Sequence, residues 1–150
     1  MAKRKVYLDT SVISAYLDEK HPERMQLTRE AWDIITTYGV YISTVNIREI
    51  NDNPSRDLRR KMMNSIERFD VLELNEESVR LANIYIKHGI FPERFRDDAL
   101  HVAVATVNDM DYLLSWNFRH IIKLRTKRMV NLVNLTSGYK EVEIITPPEL

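Results

Sequence analysis

Arg96-Asp97-Asp98-Ala99-Leu100-His101-Val102-Ala103-Val104-Ala105 is the stretch whose reading decides the fold. Two adjacent carboxylates stand in front of an apolar Ala/Val run, with Leu100, Ala103, Val104 and Val107 at helical spacing. The run predicts a buried helix. Acidic side chains are favoured in its first turn, where the helix dipole is positive. Burying a helix end that carries two charges is costly unless cations or hydrogen-bond donors meet it. A hard divalent metal is the simplest such partner, so other acids are expected at the same place. Asp97 and Asp98 stand ~100° apart around the axis and need not share a role. His101, a turn further on, reads as a packed or hydrogen-bonded residue rather than a ligand.

Working outward, Asp111 and Tyr112-Leu113-Leu114-Ser115-Trp116 read as a strand ending in Asn117. The basic segment Arg119 to Arg128 continues, by its apolar spacing, into a helix, and Val142 to Ile145 is a last strand before Pro147-Pro148. Towards the N-terminus, Asn75 starts a helix that ends at Gly89, and Val71 to Leu74 is a strand. A helix spans Arg56 to Phe69; its Arg59, Arg60, Lys61 and Arg68 read as a solvated face, with a phosphate-contacting edge as the functional alternative. Val40-Tyr41-Ile42 is a strand, Ser43-Thr44 offers a cap, and Glu49 rides on the helix that follows. A helix from about Glu23 to Tyr38 is ended by Gly39. At the start, Val6-Tyr7-Leu8 is a buried strand, and Thr10 or Ser11 caps the next helix. Helical patterns thus alternate with short buried strands. The alternation predicts one domain over residues 1–150, a three-layer α/β/α sandwich with a mainly parallel sheet.

The 22 basic and 22 acidic residues give zero net charge, which argues against a strong global field for nucleic acid but leaves local basic patches open. With no Cys, disulfides and thiolate metal sites are excluded. No apolar run is long enough to span a membrane. Lys3-Arg4-Lys5 is like the basic start of a signal peptide, but Asp9 breaks the run that would follow, so a cytoplasmic location is expected.

Three acids have comparable settings: Asp9 after the first strand, Glu49 early in the helix after the second, and Asp98 at the head of the buried helix. The C-terminal edge of a parallel sheet is where ligands bind. Topology brings Asp9 and Glu49 there but does not force Asp98 to join them. A phosphoacceptor receiver domain would want an acidic pair after strand one, where Asp9 is alone. A haloacid-dehalogenase-type phosphatase would want a second Asp two residues on, where Ser11 stands.

The stretches Val6 to Val12, Ile42 to Ile50, Asp97 to Ala105 and Tyr112 to Asn117 together resemble the PIN-domain nucleases, including the toxins of toxin–antitoxin pairs. Each motif is weak singly; their order and spacing over nearly the whole chain make the combination specific. The resemblance implies metal-dependent cleavage of a phosphodiester, usually in RNA, at a cluster of acids. Asp9, Glu49 and Asp98 match the three core acids. Where family members often carry a fourth, this chain has Asn117 and, slightly later, His120.

The chemistry implied is hydrolysis at Mg²⁺ or Mn²⁺, held by hard oxygen ligands. On this reading Asp9 and Asp98 ligate metal directly, and Glu49 ligates through water or orients the nucleophile. Asn117 positions a water or a phosphate. Ser43 and Ser115 support the ligands, and Asp97 either joins them or serves the helix N-terminus. Arg119 and Lys123 are candidates for phosphate contact, against the plainer reading of a solvated face. The partners implied are RNA, a protein antitoxin and a second copy of the chain, with Tyr16, Trp32 or Phe91, which the sequence alone does not tell from core, as apolar contacts for a homodimer. The alternative is a PIN-like module that binds RNA or protein and cuts weakly or not at all; Asn117 and the zero net charge favour it.

Overall fold

A computed structural model describes residues 3–150. β1 (Lys5–Leu8) is the middle strand of a five-stranded, all-parallel sheet of order β3-β2-β1-β4-β5. Val6, Tyr7 and Leu8 are fully buried, as a strand covered on both faces requires. β2 (Gly39–Ser43) and β4 (Tyr112–Leu114) flank it, and β3 (Asp70–Leu72) and β5 (Glu143–Ile145) form the edges. Leu8 pairs with Leu114, Leu114 with Ile145, and Ser43 with Leu72, so these residues mark the C-terminal edge of the sheet.

Alternation along β1 divides the core. Val6 and Leu8 pack with α1 (Thr10–Tyr16), α2 (Pro22–Ile35) and α4 (Arg56–Ser65) through Val12, Ile13, Trp32, Ile35 and Met62. Tyr7 and Leu113 point the other way, to α5 (Glu76–Lys87), α6 (Arg96–Val107) and α7 (Leu124–Thr136). α3 (Thr44–Asn51) contributes Val45 to one layer and Ile50 to the other. The expected sandwich is therefore found, with every strand parallel. α6 is the buried helix its sequence predicts: all residues from Ala99 to Thr106 are buried. No helix among the described residues is long and apolar enough to cross a membrane.

Several local expectations are corrected. α2 stops at Ile35, where Thr36 and Thr37 turn their hydroxyls back onto the Asp33 and Ile34 carbonyls; Gly39 instead opens β2 and donates its N–H to the Arg4 carbonyl. The basic segment does not enter its helix until Leu124, because Asn117 first folds residues 118–122 into turns. Trp32 and Phe91 are core residues, packed on Phe69 and Tyr85 respectively, and offer no dimer surface.

α5 does end at Gly89. Gly89 (φ +73°) donates to the Ile86 carbonyl and Ile90 to that of Tyr85, the paired bonds of a left-handed helix stop. A Cβ at Gly89 meets nothing within 4 Å, so its cost is purely conformational. Gly89→Ala is expected to lose about 1 kcal/mol, read as a lower melting temperature with unchanged far-UV circular dichroism.

Candidate active site

Beyond the C-terminal edge, the sheet order places β2 and β3 on one side of β1 and β4 and β5 on the other. The connections after β1 and β4 therefore diverge, and the crevice between them is the topological switch point of the sheet. Asp9 follows β1 directly, its N–H held by the Leu114 carbonyl across the crevice. Ser115 to Asn117 follow β4. Asp98 arrives from a third direction, at the head of α6. The chain reaches it through the loop after Gly89 and a 3-10 turn at Glu93–Phe95. It meets the β4 connection side chain to side chain: Asn117 Nδ2 donates to Asp98 Oδ1 at 3.2 Å, and His120 Nδ1 lies 2.9 Å from Asp98 Oδ2.

Asp9 occupies the N-cap position of α1 yet makes no cap hydrogen bond to the helix, contrary to the expectation that Thr10 or Ser11 holds that place. Its carboxylate is turned into the crevice instead. Ser11 Oγ and Ser115 Oγ each donate to one of its oxygens at 2.5 Å. Ser115 thus supports Asp9 directly. Thr10, freed from capping, donates to Glu49 Oε1 at 2.7 Å.

Glu49 is held by a chain of buried groups. His101 Nε2 lies 2.5 Å from Glu49 Oε1, and His101 Nδ1 lies 2.6 Å from the Tyr7 hydroxyl. Tyr7 also reaches Ser43 Oγ at 2.7 Å and donates to Asn46 Oδ1 at 3.1 Å. Protonated His101 donates from both nitrogens, and Tyr7 passes its own proton towards Asn46. Ser43 caps α3 in a capping box with Asn46, so it orients the helix carrying Glu49 and touches none of the three acids. Asp97 pairs with Arg48, a brace between α3 and α6 beside two of the acids.

The charges act on one another. Burial raises the Asp9 carboxyl above its ordinary value, against the His101 charge and the two serine bonds, and Asp98 raises it further. Burial likewise raises Asp98, against His120 and His101, and Glu49 adds to it. Burial opposes the charge on His101 as well, but the Glu49 hydrogen bond and the charges of Glu49, Asp9 and Asp98 outweigh it and hold its pKa up. Glu49 gains in turn: burial would raise it, but His101 and Thr10 hold it below the usual carboxylate value.

The model of the PIN domain family matches residues 6–120, which include every residue of this constellation. The chain belongs to the PIN domain family. Solved structures with a similar fold include VapBC2 from Rickettsia felis bound to a promoter DNA fragment, with TM-score 0.61 and 12% identity over 93% of this chain and 96% of that one. Another is DNA-bound VapBC from Salmonella typhimurium, with TM-score 0.58 and 14% identity over 96% and 98% of the two chains. A third is VapBC-5 from Mycobacterium tuberculosis, a member of a toxin–antitoxin family, with TM-score 0.55 and 20% identity over 95% and 98%. At these identities the likeness is one of fold. No curated protein matches the chain.

The donor set of this PIN domain fits a hard divalent cation. Asp9 is 3% exposed, and the only bonded partners of its carboxylate among the described residues are neutral hydroxyls, so a buried charge lacks a contacting cation. Glu49 and Asp98 are near enough to raise the carboxyls of Asp98 and Asp9, a repulsion that a cation relieves. As the side chains stand, no three Asp, Glu or His residues among those described are placed to share one ion. Glu49 is turned to His101 and Asp98 to His120. The amide oxygen of Asn117 accepts from the His120 N–H, leaving Nδ2 as the atom it offers to Asp98.

His101 is the packed, hydrogen-bonded residue its sequence setting suggests, and His120 does stand near the fourth-acid position; sequence reasoning did not pair either with an acid. His101 stands three residues after Asp98, on the same helix face, and that spacing was the available signal. Arg119 and Lys123 follow the site in the chain, and both are exposed.

Proposed function

We propose that the protein is a metal-dependent endoribonuclease that hydrolyses RNA phosphodiesters at Asp9, Glu49 and Asp98, as the toxin of a toxin–antitoxin pair. The observation that carries the reading is the approach of three carboxylates from three separate elements to the switch point of the sheet, near enough for Asp98 to act on Asp9 and Glu49 on Asp98, with Asp9 buried and lacking a contacting cation among the described residues. Mg²⁺ or Mn²⁺ would be held by Asp9 and Asp98, with Glu49 as third ligand or as the group that orients water. Such an ion supplies Lewis-acid stabilisation of the charge that develops on the phosphate and acidifies the attacking water. The chain supplies the rest. Ser11 and Ser115 fix the Asp9 carboxylate, the Tyr7–His101 chain fixes Glu49, and Asn117 Nδ2 offers a neutral donor at Asp98. Arg119 and Lys123 would take neighbouring phosphates. A protein antitoxin as partner follows from the toxin–antitoxin neighbours in fold, a homodimer from the family resemblance alone.

The second reading, a binding module that cuts weakly or not at all, is favoured by one observation: histidines already occupy two of the three acids. The discriminating experiment is a thermal melt with and without Mn²⁺. On the nuclease reading, Mn²⁺ at 100 times its Kd stabilises the protein by roughly 2.7 kcal/mol, and Asp9→Asn loses this rise. A wild-type melt that ignores Mn²⁺, together with no cleavage of a mixed single-stranded RNA pool, decides for the binding module.

A further inference from the structure

The connection after β4 has two sides. Ser115 and Asn117 face the acids, whereas Trp116 and Phe118 turn the other way, towards the start of α2. Trp116 is fixed there: its N–H is held by Ser11 Oγ at 2.9 Å, and its indole Nε1 donates to Thr28 Oγ1 at 2.8 Å. Phe118 is 48% exposed, with its ring centroid 6.1 Å from that of Trp116. The Arg24 guanidinium lies over both rings, 5.1 Å from Trp116 and 5.9 Å from Phe118. Lys20, His21, Leu27 and these three residues line a cavity of about 550 Å³, in which Glu23 is the one carboxylate. Neither Lys20 nor Arg24 joins an ion pair among the described residues.

We propose that Trp116, Phe118 and Arg24 form a stacking subsite for one unpaired nucleobase of the RNA strand whose phosphodiester is cut at the acids. The inference rests on the nuclease reading and adds to it a base-binding subsite outside the acids. Unstacked bases are recognised on aromatic faces and on the plane of an arginine, and this pocket offers both. In a duplex those base faces are covered, so the subsite selects single strands. Continuity with the acids fixes which base is meant. Ser11 Oγ, which donates to the Asp9 carboxylate, also accepts the Trp116 N–H, and Asn117, between the two aromatic residues, donates to Asp98, so the platform serves a base next to the phosphate held at the acids. The charge also complements a polyanion: Lys20 and Arg24 against one carboxylate.

The test is titration with a 2′-O-methyl hexaribonucleotide in EDTA, where metal-dependent cleavage is blocked. The wild-type protein, Phe118→Ala and Phe118→Tyr are compared by anisotropy of the labelled oligomer and by tryptophan emission. Trp116 reports the contact, since the chain has one other tryptophan, the buried Trp32. Binding is expected to quench wild-type emission. Phe118→Ala should weaken affinity roughly 5- to 160-fold, the range for loss of one base stack, and Phe118→Tyr should restore it. An oligomer of the same length with abasic sugars should bind wild type and Phe118→Ala alike. Equal binding of the hexamer by wild type and Phe118→Ala overturns the subsite, as does a Phe118→Ala loss that persists with the abasic oligomer. The patch would then be a protein-docking surface at most. Cleavage of single-stranded RNA in Mg²⁺ by the wild type is measured alongside. A wild type that cuts while its Phe118→Ala binds normally sinks the subsite alone. A wild type that neither binds nor cuts sinks the nuclease reading and the subsite with it.

Discussion

Asp98→Asn is expected to lower RNA turnover in saturating Mg²⁺ or Mn²⁺ by roughly a thousandfold or more, while the metal-free variant melts at or above the wild-type temperature. The two halves have one cause. The Asp98 carboxyl is raised by burial and by the Glu49 charge, so ionised Asp98 costs the metal-free fold stability at neutral pH. The sign is that of a carboxyl raised on folding: the native state holds the proton more tightly, and stability falls as pH rises through the interval between the ordinary and the raised value. Asn is nearly isosteric, carries no charge, still accepts from Asn117 Nδ2, and can donate its amide N–H to Nδ1 of the His120 tautomer protonated on Nε2, so the fold exchanges one contact and sheds a repulsion. The same substitution removes a charged ligand from the proposed ion. A loss of about 4 kcal/mol in transition-state stabilisation corresponds to the thousandfold. Parallel Asp9→Asn measurements should behave alike, because the Ser11 and Ser115 hydroxyls can rotate to suit an amide. Unchanged turnover in both variants would remove Asp9 and Asp98 from the reaction. Lost turnover with a collapsed melt would show a structural role instead.

Much of this architecture was legible because strand and helix periods are local. The Val6-Tyr7-Leu8 run announced a buried strand and the Ala/Val run after Asp98 a buried helix; both are found, the helix buried on every side from Ala99 to Thr106 rather than on one packing face. Asp9 and Glu49 were placed at one edge by parallel topology alone. Asp98 was harder, because it leads a helix that feeds a strand, and only the return of the chain through residues 88–95 brings it to Asn117 and His120. What periodicity could not deliver were contacts between distant segments. His101 finds Glu49 across 52 residues and Tyr7 across 94. Gly39 misled for a related reason: a glycine after a helix reads as a stop, but hydroxyls of Thr36 and Thr37 had already ended α2. Trp32 and Phe91 looked equally suited to a surface contact or to the core, since aromatic type alone does not say which side of a helix or loop is covered.

His101 is where the second large effect is expected. His101→Ala should cost the metal-free protein about 3 kcal/mol, or roughly 10 °C in melting temperature for a chain of this size. The imidazole is 2% exposed and joins Glu49 to Tyr7, so its removal leaves a mostly buried carboxylate without its cation. Tyr7 keeps Ser43 and Asn46 as partners, so its buried hydroxyl is not left unpaired. The difference between wild type and variant must also depend on pH. The His101 pKa is raised on folding, so its contribution is fully present below its ordinary value of 6.5 and is lost as pH rises through the raised value. The Glu49 pKa is lowered, so its contribution is present above its ordinary value of 4.5 and is lost as pH falls through the lowered value. The stability gap in EDTA should therefore be widest between about pH 4.5 and 6.5 and narrow on either side. Asp9 and Asp98 both lose the His101 charge in the variant, and their carboxyls rise further. That adds to the gap where those acids ionise and not below. A gap that stays flat from pH 4 to 9 would mean His101 is a neutral spacer. A gap that narrows above pH 6.5 would mean the metal-free site carries its own cation, one that a divalent ion must displace from Glu49.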